Sequence, residues 1–166
     1  MSTPYAACFF GAGPTGISAW GGFITSAGIW RTANRLRRLG IEAECFNFDQ
    51  TYLAEARLTA ARNGHRPVGS LAYSLGNTAA LWLQQYTAFN LVFSIADSQF
   101  GRNTPINHKN TKRSVLWHGP GALSSAGGNL GYDVVHDSNK PHLLLDFAPE
   151  VWQDAVAEFQ KLFAAV

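Results

Sequence analysis

The sequence predicts an α/β fold, in which a doubly wound parallel sheet of about five strands, in the order 2-1-3-4-5, carries helices on both faces. Three observations indicate this class. Short runs that are apolar throughout, as in strands buried on both faces, alternate with amphipathic segments of helical length. The loops are short, and there is neither an internal repeat nor a linker. The length of 166 residues is typical of one domain, so we expect residues 1–166 to form a single domain.

The first predicted strand, Tyr5–Phe10, leads into the glycine-rich loop GAGPTG. The spacing G-x-G-x-x-G after a strand also occurs in dinucleotide-binding loops, which makes a nucleotide site one alternative. Such a site needs a helix that begins at the loop and an acidic residue about 20 residues further on. Here Trp20–Phe23 interrupts a helix, the helical pattern starts near Ser26, and the next strand ends only at Asp49. We therefore expect no dinucleotide and no other cofactor.

Apolar periodicity predicts the elements that follow. A helix from near Ser26 precedes a strand over Ile41–Phe48, and a second helix covers Thr51–Arg62. Asn63 and Gly64 end this helix, because both residues favour the backbone conformation that closes a C-terminus. The order of helix, strand and helix is the one that a parallel sheet requires.

The next segment has the pattern of a strand, a tight turn and a helix. Apolar residues up to Tyr73 predict a buried strand, and good helix formers predict a helix over Thr78–Gln85. Asn77 or Thr78 is expected to cap this helix through its side-chain oxygen. Ser74 falls at the corner between the two elements.

The corner Ala72-Tyr73-Ser74-Leu75-Gly76 fits a nucleophile elbow, the strained turn that exposes a catalytic serine. The residues two before and two after such a serine must be small, as Ala72 and Gly76 are. The backbone N–H of Leu75, at the N-terminus of the helix, is then expected to face a developing oxyanion. A purely structural turn at Ser74 is the alternative.

The second half of the chain continues the alternation. The predicted segments are a strand over Phe89–Ile95, a polar loop over Ser98–Asn110, a strand over Ser114–Trp117, a glycine-rich stretch over Gly119–Gly131, an apolar segment over Tyr132–Val135 and a closing helix over Val151–Phe163. The loop before the closing helix carries His136, Asp137 and His142.

A catalytic serine needs a general base, and the base needs an orienting acid. Because the carboxyl ends of parallel strands meet at one edge of a sheet, the partners of Ser74 should follow the later strands. Asp97 follows the strand after the corner and His142 precedes the closing helix, so they are the candidate acid and base. Asp133 and Asp137 are rival candidates for the acid.

Two other roles are open to residues near the end of the chain. Asp146 comes just before the closing helix and is expected to cap its N-terminus. His136, Asp137 and His142 could suggest a metal site, but their spacing fits no compact ligand motif, so we expect no metal.

The chain resembles a minimal α/β-hydrolase of the esterase/lipase type, similar to small hydrolases of bacteria and phages. The matching pieces are FFGAG, S-A-G-I-W-x(5)-L-x(2)-L-G, A-Y-S-L-G-N, the late glycine-rich segment and H-L-L-L-D-F-A-P-E-V. The resemblance implies an α/β-hydrolase core without a lid domain, a base at His142, and a second oxyanion donor at Ala12 or its neighbours Gly11 and Gly13. The order Ser74, Asp97, His142 is also that of the family. Ala72 departs from the usual glycine of the elbow.

The resemblance implies a serine hydrolase that cleaves a carboxylic ester through a Ser-His-Asp triad and an acyl-enzyme. Trp20 and Phe23 are candidates for an apolar rim that binds the acyl group, although both could instead pack inward. A hydrolase fold that lacks activity and serves as a structural or binding module is the main alternative.

Charge and cysteine content bear on partners and location. The net charge of +2 and one basic cluster at Arg31, Arg35, Arg37 and Arg38 favour a solvated helix face over a nucleic-acid surface.

Cys8 and Cys45 lie in apolar runs, which favours reduced thiols in a reducing compartment. No run reaches transmembrane length and no export signal is recognisable, so we expect a soluble, cytoplasmic protein. The family resemblance adds association with a phage as an alternative.

Overall fold

The computed structural model describes residues 2–11, 26–98, 104–120 and 130–164. The strands are β1 (Tyr5–Phe9), β2 (Glu42–Phe46), β3 (Val68–Tyr73), β4 (Leu91–Ile95), β5 (Ser114–His118) and β6 (Val134–Asp137). The helices are α1 (Ala27–Arg38), α2 (Thr51–Asn63), α3 (Gly76–Leu83) and α4 (Pro149–Ala164), and a 3-10 helix covers His142–Phe147.

The strands form one parallel sheet of six, in the order β2-β1-β3-β4-β5-β6. The predicted fold class and the order of the first five strands are confirmed, and a sixth strand is added at the edge. Each residue of β1, β3 and β4 is buried, which agrees with their apolar sequences. That residues 1–166 make up a single domain stays a prediction.

Helices cover both faces of this sheet. Leu71 and Tyr73 of β3 point into a core shared with α1 and α4, whereas Val68 and Ala72 point into a core shared with α2 and α3. This alternation within one strand is the two-residue period of β structure. No helix among the described residues is long and apolar enough to cross a membrane.

The edge strand β6 differs from the prediction for that segment. His136 and Asp137 were expected in a loop, but they pair with Trp117 and His118 of β5. The residues of β6 alternate between half-buried and exposed, as in an edge strand with one solvated face, so its sequence lacks the apolar run that marks the inner strands. The ring of His136 also stacks on Trp117, with 4.6 Å between centroids.

The register of the sheet brings the carboxyl ends of β3, β4 and β5 to one edge. Tyr73 is paired with Ile95 and Ile95 with Trp117, so the residues that follow β3 and β4 leave the sheet side by side. Ser74 and Asp97 both lie at this carboxyl edge, where ligands of α/β proteins bind.

Candidate active site

Ser74 occupies a strained turn between β3 and α3. Its φ of 53° lies in the left-handed region, which is uncommon for a residue other than glycine. Its backbone N–H donates to the carbonyl oxygen of Ile95 at 3.0 Å, and α3 begins two residues later at Gly76. This is the strand–turn–helix context that the sequence predicted for a nucleophile elbow.

Glycines allow close packing around this turn. A Cβ atom at Gly76 would lie 2.6 Å from the carbonyl oxygen of Phe9, and one at Gly11 would lie 2.9 Å from the Cβ of Ser74. Both distances are too short for a side chain. Glycine is therefore required at position 11, just after β1, and at position 76, where α3 begins. Ala72 is fully buried and takes the place of the usual glycine without any loss of the turn.

Asn77 braces the turn and does not cap α3 as predicted. The residue before α3 is Leu75, and the Nδ2 group of Asn77 donates to the carbonyl oxygens of Ser74 and Ile95, each at 3.0 Å. The side chain is fully buried. The elbow is thereby tied to the end of β4, a long-range contact that a local capping rule does not predict.

His142 contacts Ser74 directly. The Nε2 atom of the imidazole lies 2.8 Å from the Oγ atom of Ser74, and only 4% of His142 is exposed. Burial lowers the pKa of His142 below its usual 6.5, which favours the neutral ring. A neutral imidazole at this distance can accept the hydroxyl proton.

Tyr73 and the 3-10 helix position the imidazole. His142 is the first residue of that helix, and its carbonyl oxygen accepts a 2.8 Å hydrogen bond from the hydroxyl of Tyr73. The two rings pack with centroids 5.4 Å apart. Burial, with the nearby charge of Asp146, raises the pKa of Tyr73 well above its usual value, so its hydroxyl stays a donor.

Asp146 docks the same 3-10 helix onto α1, and its predicted role as the cap of the closing helix is wrong. Its Oδ2 atom accepts the backbone N–H of Gly28 at 3.0 Å, in the first turn of α1, whereas α4 begins only at Pro149. A Cβ atom at Gly28 would lie 2.0 Å from the carbonyl oxygen of Asp146, so the contact requires glycine there. Burial raises the pKa of Asp146 to about 7, against the lowering effect of backbone N–H groups.

Asp97 lies at the carboxyl edge of the sheet, but no hydrogen bond between it and His142 is found among the described residues. Its Oδ2 atom accepts a 3.3 Å hydrogen bond from the hydroxyl of Tyr132, and the same hydroxyl is hydrogen-bonded to that of Ser94 at 2.9 Å. Among the described residues, none forms a hydrogen bond with the buried Nδ1 atom of His142. The structure therefore joins Ser74 to His142 and leaves Asp97 outside their hydrogen-bonded pair.

The rival acids are placed elsewhere. Asp133 accepts hydrogen bonds from the N–H and hydroxyl of Ser114, at 2.7 and 2.8 Å, at the amino end of β5. That is the edge of the sheet opposite to Ser74. Asp137 has 87% of its side chain exposed and pairs with His118 at 3.5 Å.

Some of the predicted binding residues can be placed and others cannot. Leu75 precedes α3, and no described group accepts a hydrogen bond from its N–H. The N–H of Gly11 donates to the hydroxyl of Ser26 at 2.9 Å, so Gly11 itself is not a free oxyanion donor. Ala12, Trp20 and Phe23, together with Gly13, lie outside the described residues.

Metal ligands are not grouped in the part of the chain that the structure describes. No set of three or more His, Cys, Asp or Glu side chains lies close enough there to hold a metal ion. His136 is separated from His142 by its position in β6, where it lies 3.6 Å from Asp154.

A solved structure with a similar fold covers the whole chain. It is a protein described as a "putative hydrolase of the alpha/beta superfamily", from Xanthomonas campestris pv. campestris, with 17% sequence identity and a TM-score of 0.58. The similarity covers 100% of both chains. No protein-family model matches the sequence, and no curated protein matches it. The likeness shows that this chain shares the overall fold of that protein.

Proposed function

We propose that this protein is a serine hydrolase of carboxylic esters, with Ser74 as the nucleophile and His142 as the general base. The observation that carries the proposal is the 2.8 Å contact between Oγ of Ser74, on a left-handed turn, and Nε2 of a buried imidazole. A serine hydroxyl becomes a useful nucleophile when a base stands within hydrogen-bond reach.

The first half of the reaction forms an acyl-enzyme. Nε2 of His142 takes the hydroxyl proton while Oγ of Ser74 attacks the ester carbonyl carbon, and the carbonyl oxygen becomes an oxyanion. The N–H of Leu75, at the positive end of α3, would donate to that oxyanion. Collapse of the intermediate expels the alcohol, which leaves with the proton from His142.

The second half restores the enzyme. His142 removes a proton from water, and the resulting hydroxide attacks the acyl carbon bonded to Ser74. Oγ then leaves and recovers the proton, which releases the carboxylic acid. Each proton passes through Nε2, so the reaction needs a neutral imidazole. The lowered pKa of His142 keeps a large fraction of the enzyme in that neutral form at neutral pH.

We keep Asp97 as the proposed acid that orients His142. It is buried and follows β4 at the same edge as Ser74, whereas Asp133 and Asp137 are held by other partners. The role requires a hydrogen bond from Nδ1 of His142, and the structure has Asp97 bonded to Tyr132 instead. Catalytic hydrogen bonds often tighten only when substrate binds, so substitution of Asp97 is the test of this assignment.

Apolar side chains beside His142 support an ester with a hydrophobic part. Leu143 and Leu144 directly follow the base and are 57% and 55% exposed. Trp20 and Phe23 remain proposed members of the same rim. An acyl or alcohol chain that covers such leucines gains about 25 cal/mol for each Å² of apolar surface that leaves water.

Hydrolysis of p-nitrophenyl esters tests the proposal. Wild-type protein should release p-nitrophenol from short-chain esters, also in EDTA, and Ser74→Ala should abolish the release. Ser70→Ala is the matched control, because Ser70 is buried in β3, the strand that leads to Ser74, and its hydroxyl has no partner among the described residues. A folded wild-type protein with no activity toward these esters would favour the alternative of an inactive hydrolase-fold module.

The nucleotide alternative has little support from the described residues. Gly11 is required for packing against Ser74, which explains the first glycine of the loop without a nucleotide. The helix that follows starts at Ala27, where the carboxylate of Asp146 already occupies its first turn. We expect no thermal shift with NAD, NADP or FAD.

A further inference from the structure

Cys8 and Cys45 face each other across neighbouring strands. They are register partners in the parallel pair of β1 and β2, and both side chains lie on the face covered by α1 and α4. Neighbouring strands are about 4.8 Å apart. Disulfides join Cα atoms about 4.4 to 6.8 Å apart, so the spacing of neighbouring strands falls within the range that a bond between these two residues needs.

The two thiols differ in access to solvent. Cys8 is fully buried, whereas Cys45 is partly exposed. Cys45 also lines a surface cavity of about 360 Å³, together with Trp30, Arg37, Leu53 and Arg57. A small polar molecule can therefore reach Cys45 and cannot reach Cys8.

The charges around the pair favour a thiolate at Cys45. Cys8 and Cys45 are register partners on neighbouring strands, and Nη2 of Arg37 lies 4.0 Å from the sulfur of Cys45. The nearby Cys8 thiol and the charge of Arg37 lower the pKa of Cys45 against the opposing effect of its burial, while the nearby Cys45 sulfur and full burial raise the pKa of Cys8. Arg37 is held in place by a 2.8 Å hydrogen bond from Nε to the carbonyl oxygen of Ala43.

We propose that Cys45 and Cys8 form a peroxide-sensitive dithiol, in which Cys45 reacts with a small hydroperoxide and Cys8 resolves the product to an intrachain disulfide. In the first step the sulfur of Cys45 bonds to the terminal oxygen of the hydroperoxide, and the O–O bond breaks. The released alkoxide or hydroxide takes up a proton from water, and Cys45 becomes a sulfenic acid. In the second step the sulfur of Cys8 bonds to that of Cys45, and the S–O bond breaks. The thiol proton of Cys8 leaves with the hydroxide as water.

This chemistry does not depend on Ser74 or on ester hydrolysis. The dithiol lies between β1, β2 and α1, and the resting state is the reduced pair that the structure contains. A reduced pair of this kind is also what the sequence predicts for a reducing compartment. Failure of one proposal would therefore leave the other unaffected.

The test is thiol counting after exposure to hydrogen peroxide. Reduced wild-type protein, denatured in an alkylating agent, should take up two alkyl groups, one on each of its two cysteines. After peroxide it should take up none, lose two hydrogen atoms of mass and recover both alkylation sites in dithiothreitol. Native protein that keeps both thiols alkylatable after peroxide, or that forms only cross-linked dimers, would overturn the proposal.

Single variants separate the roles of the two cysteines. Cys8→Ala should accumulate a sulfenic acid on Cys45 that dimedone captures, whereas Cys45→Ser should leave Cys8 unoxidised under the same conditions.

Arg37→Met should slow the oxidation of Cys45 by about 3- to 10-fold, because the thiolate fraction falls as the pKa rises. Arg57→Met is the control, since Arg57 lines the cavity but pairs with Glu44 at 3.5 Å. Equal effects of the two arginine variants would contradict the assigned role of Arg37.

Discussion

Oγ of Ser74 and Nε2 of His142 lie 2.8 Å apart, although 68 positions separate the two residues in the chain. The elbow after β3 carries the serine, and the 3-10 helix that precedes α4 carries the histidine. The Tyr73 hydroxyl ties that helix back to β3, which is the strand that ends at the serine. Buried hydrogen bonds therefore hold both the turn that carries Ser74 and the 3-10 helix that carries His142.

The pH dependence of ester hydrolysis should show the lowered pKa of His142. The free enzyme needs a neutral imidazole, so kcat/KM should fall toward acid with a midpoint below 6.5, the usual value. The sign follows from burial, which disfavours the charged ring. The measurement is kcat/KM for a p-nitrophenyl ester from pH 4 to 9, and a midpoint clearly above 6.5 would contradict the assignment.

Asn77→Ala should destabilise the elbow. It removes two buried hydrogen bonds, to the carbonyl oxygens of Ser74 and Ile95, and leaves both oxygens without this donor. We expect a loss of about 2 to 3 kcal/mol in the free energy of unfolding, measured by urea denaturation. Asn34→Ala is the control, because the one side-chain hydrogen bond of Asn34 among the described residues comes from the exposed guanidinium of Arg37, so its loss should change stability by less than about 0.5 kcal/mol.

Asp146→Asn should change stability in a pH-dependent way. The folded pKa of Asp146, about 7, is above its usual value of 3.8, so the stability linked to this group is present at low pH and lost as pH rises toward 7. The neutral amide avoids that loss. We expect the variant to match wild type near pH 4 and to exceed it at pH 8 by up to about 4 kcal/mol in unfolding free energy. A constant difference at both pH values would show that ionisation of Asp146 is not responsible.

Asp97→Asn tests the proposed third member of the triad. If Asp97 orients His142 during catalysis, the amide should favour the wrong imidazole tautomer and lower kcat by roughly 10⁴. The fold should persist, as judged by an unchanged melting temperature. The equivalent substitutions Asp133→Asn and Asp137→Asn should leave kcat near wild type, because these carboxylates bond to Ser114 and His118. A near-normal kcat in Asp97→Asn would leave Ser74 and His142 as a dyad.

The sheet and the turn at Ser74 could be predicted because both follow from patterns that act over short distances, whereas His142 was chosen from the topology of the sheet and from the family resemblance. Apolar runs identify β1, β3 and β4, and small residues around Ser74 identify the elbow. Parallel strands then bring Ser74 and the segment after β6 to the same edge. The position of His142 in a 3-10 helix was missed, because no periodicity distinguishes such a short element from a loop.

The remaining features depend on contacts between distant segments. Asp146 bonds to the start of α1, 118 positions away, and a residue just before a helix is predicted to cap that helix instead. Tyr132 competes for the carboxylate of Asp97 from 35 positions away. Neither partnership has a local sequence signal, although glycine at position 28, inside a helix, is a hint of close backbone approach.

The most direct test of the central claim is the covalent labelling of Ser74. A fluorophosphonate added to the native protein should form one adduct per chain, and peptide mapping should place it on Ser74. Ser74→Ala should show no adduct, Ser70→Ala should label like wild type, and His142→Ala should label far more slowly because the base is gone. Absence of an adduct on folded wild-type protein, or an adduct on a different residue, would contradict the assignment of Ser74 as an activated nucleophile.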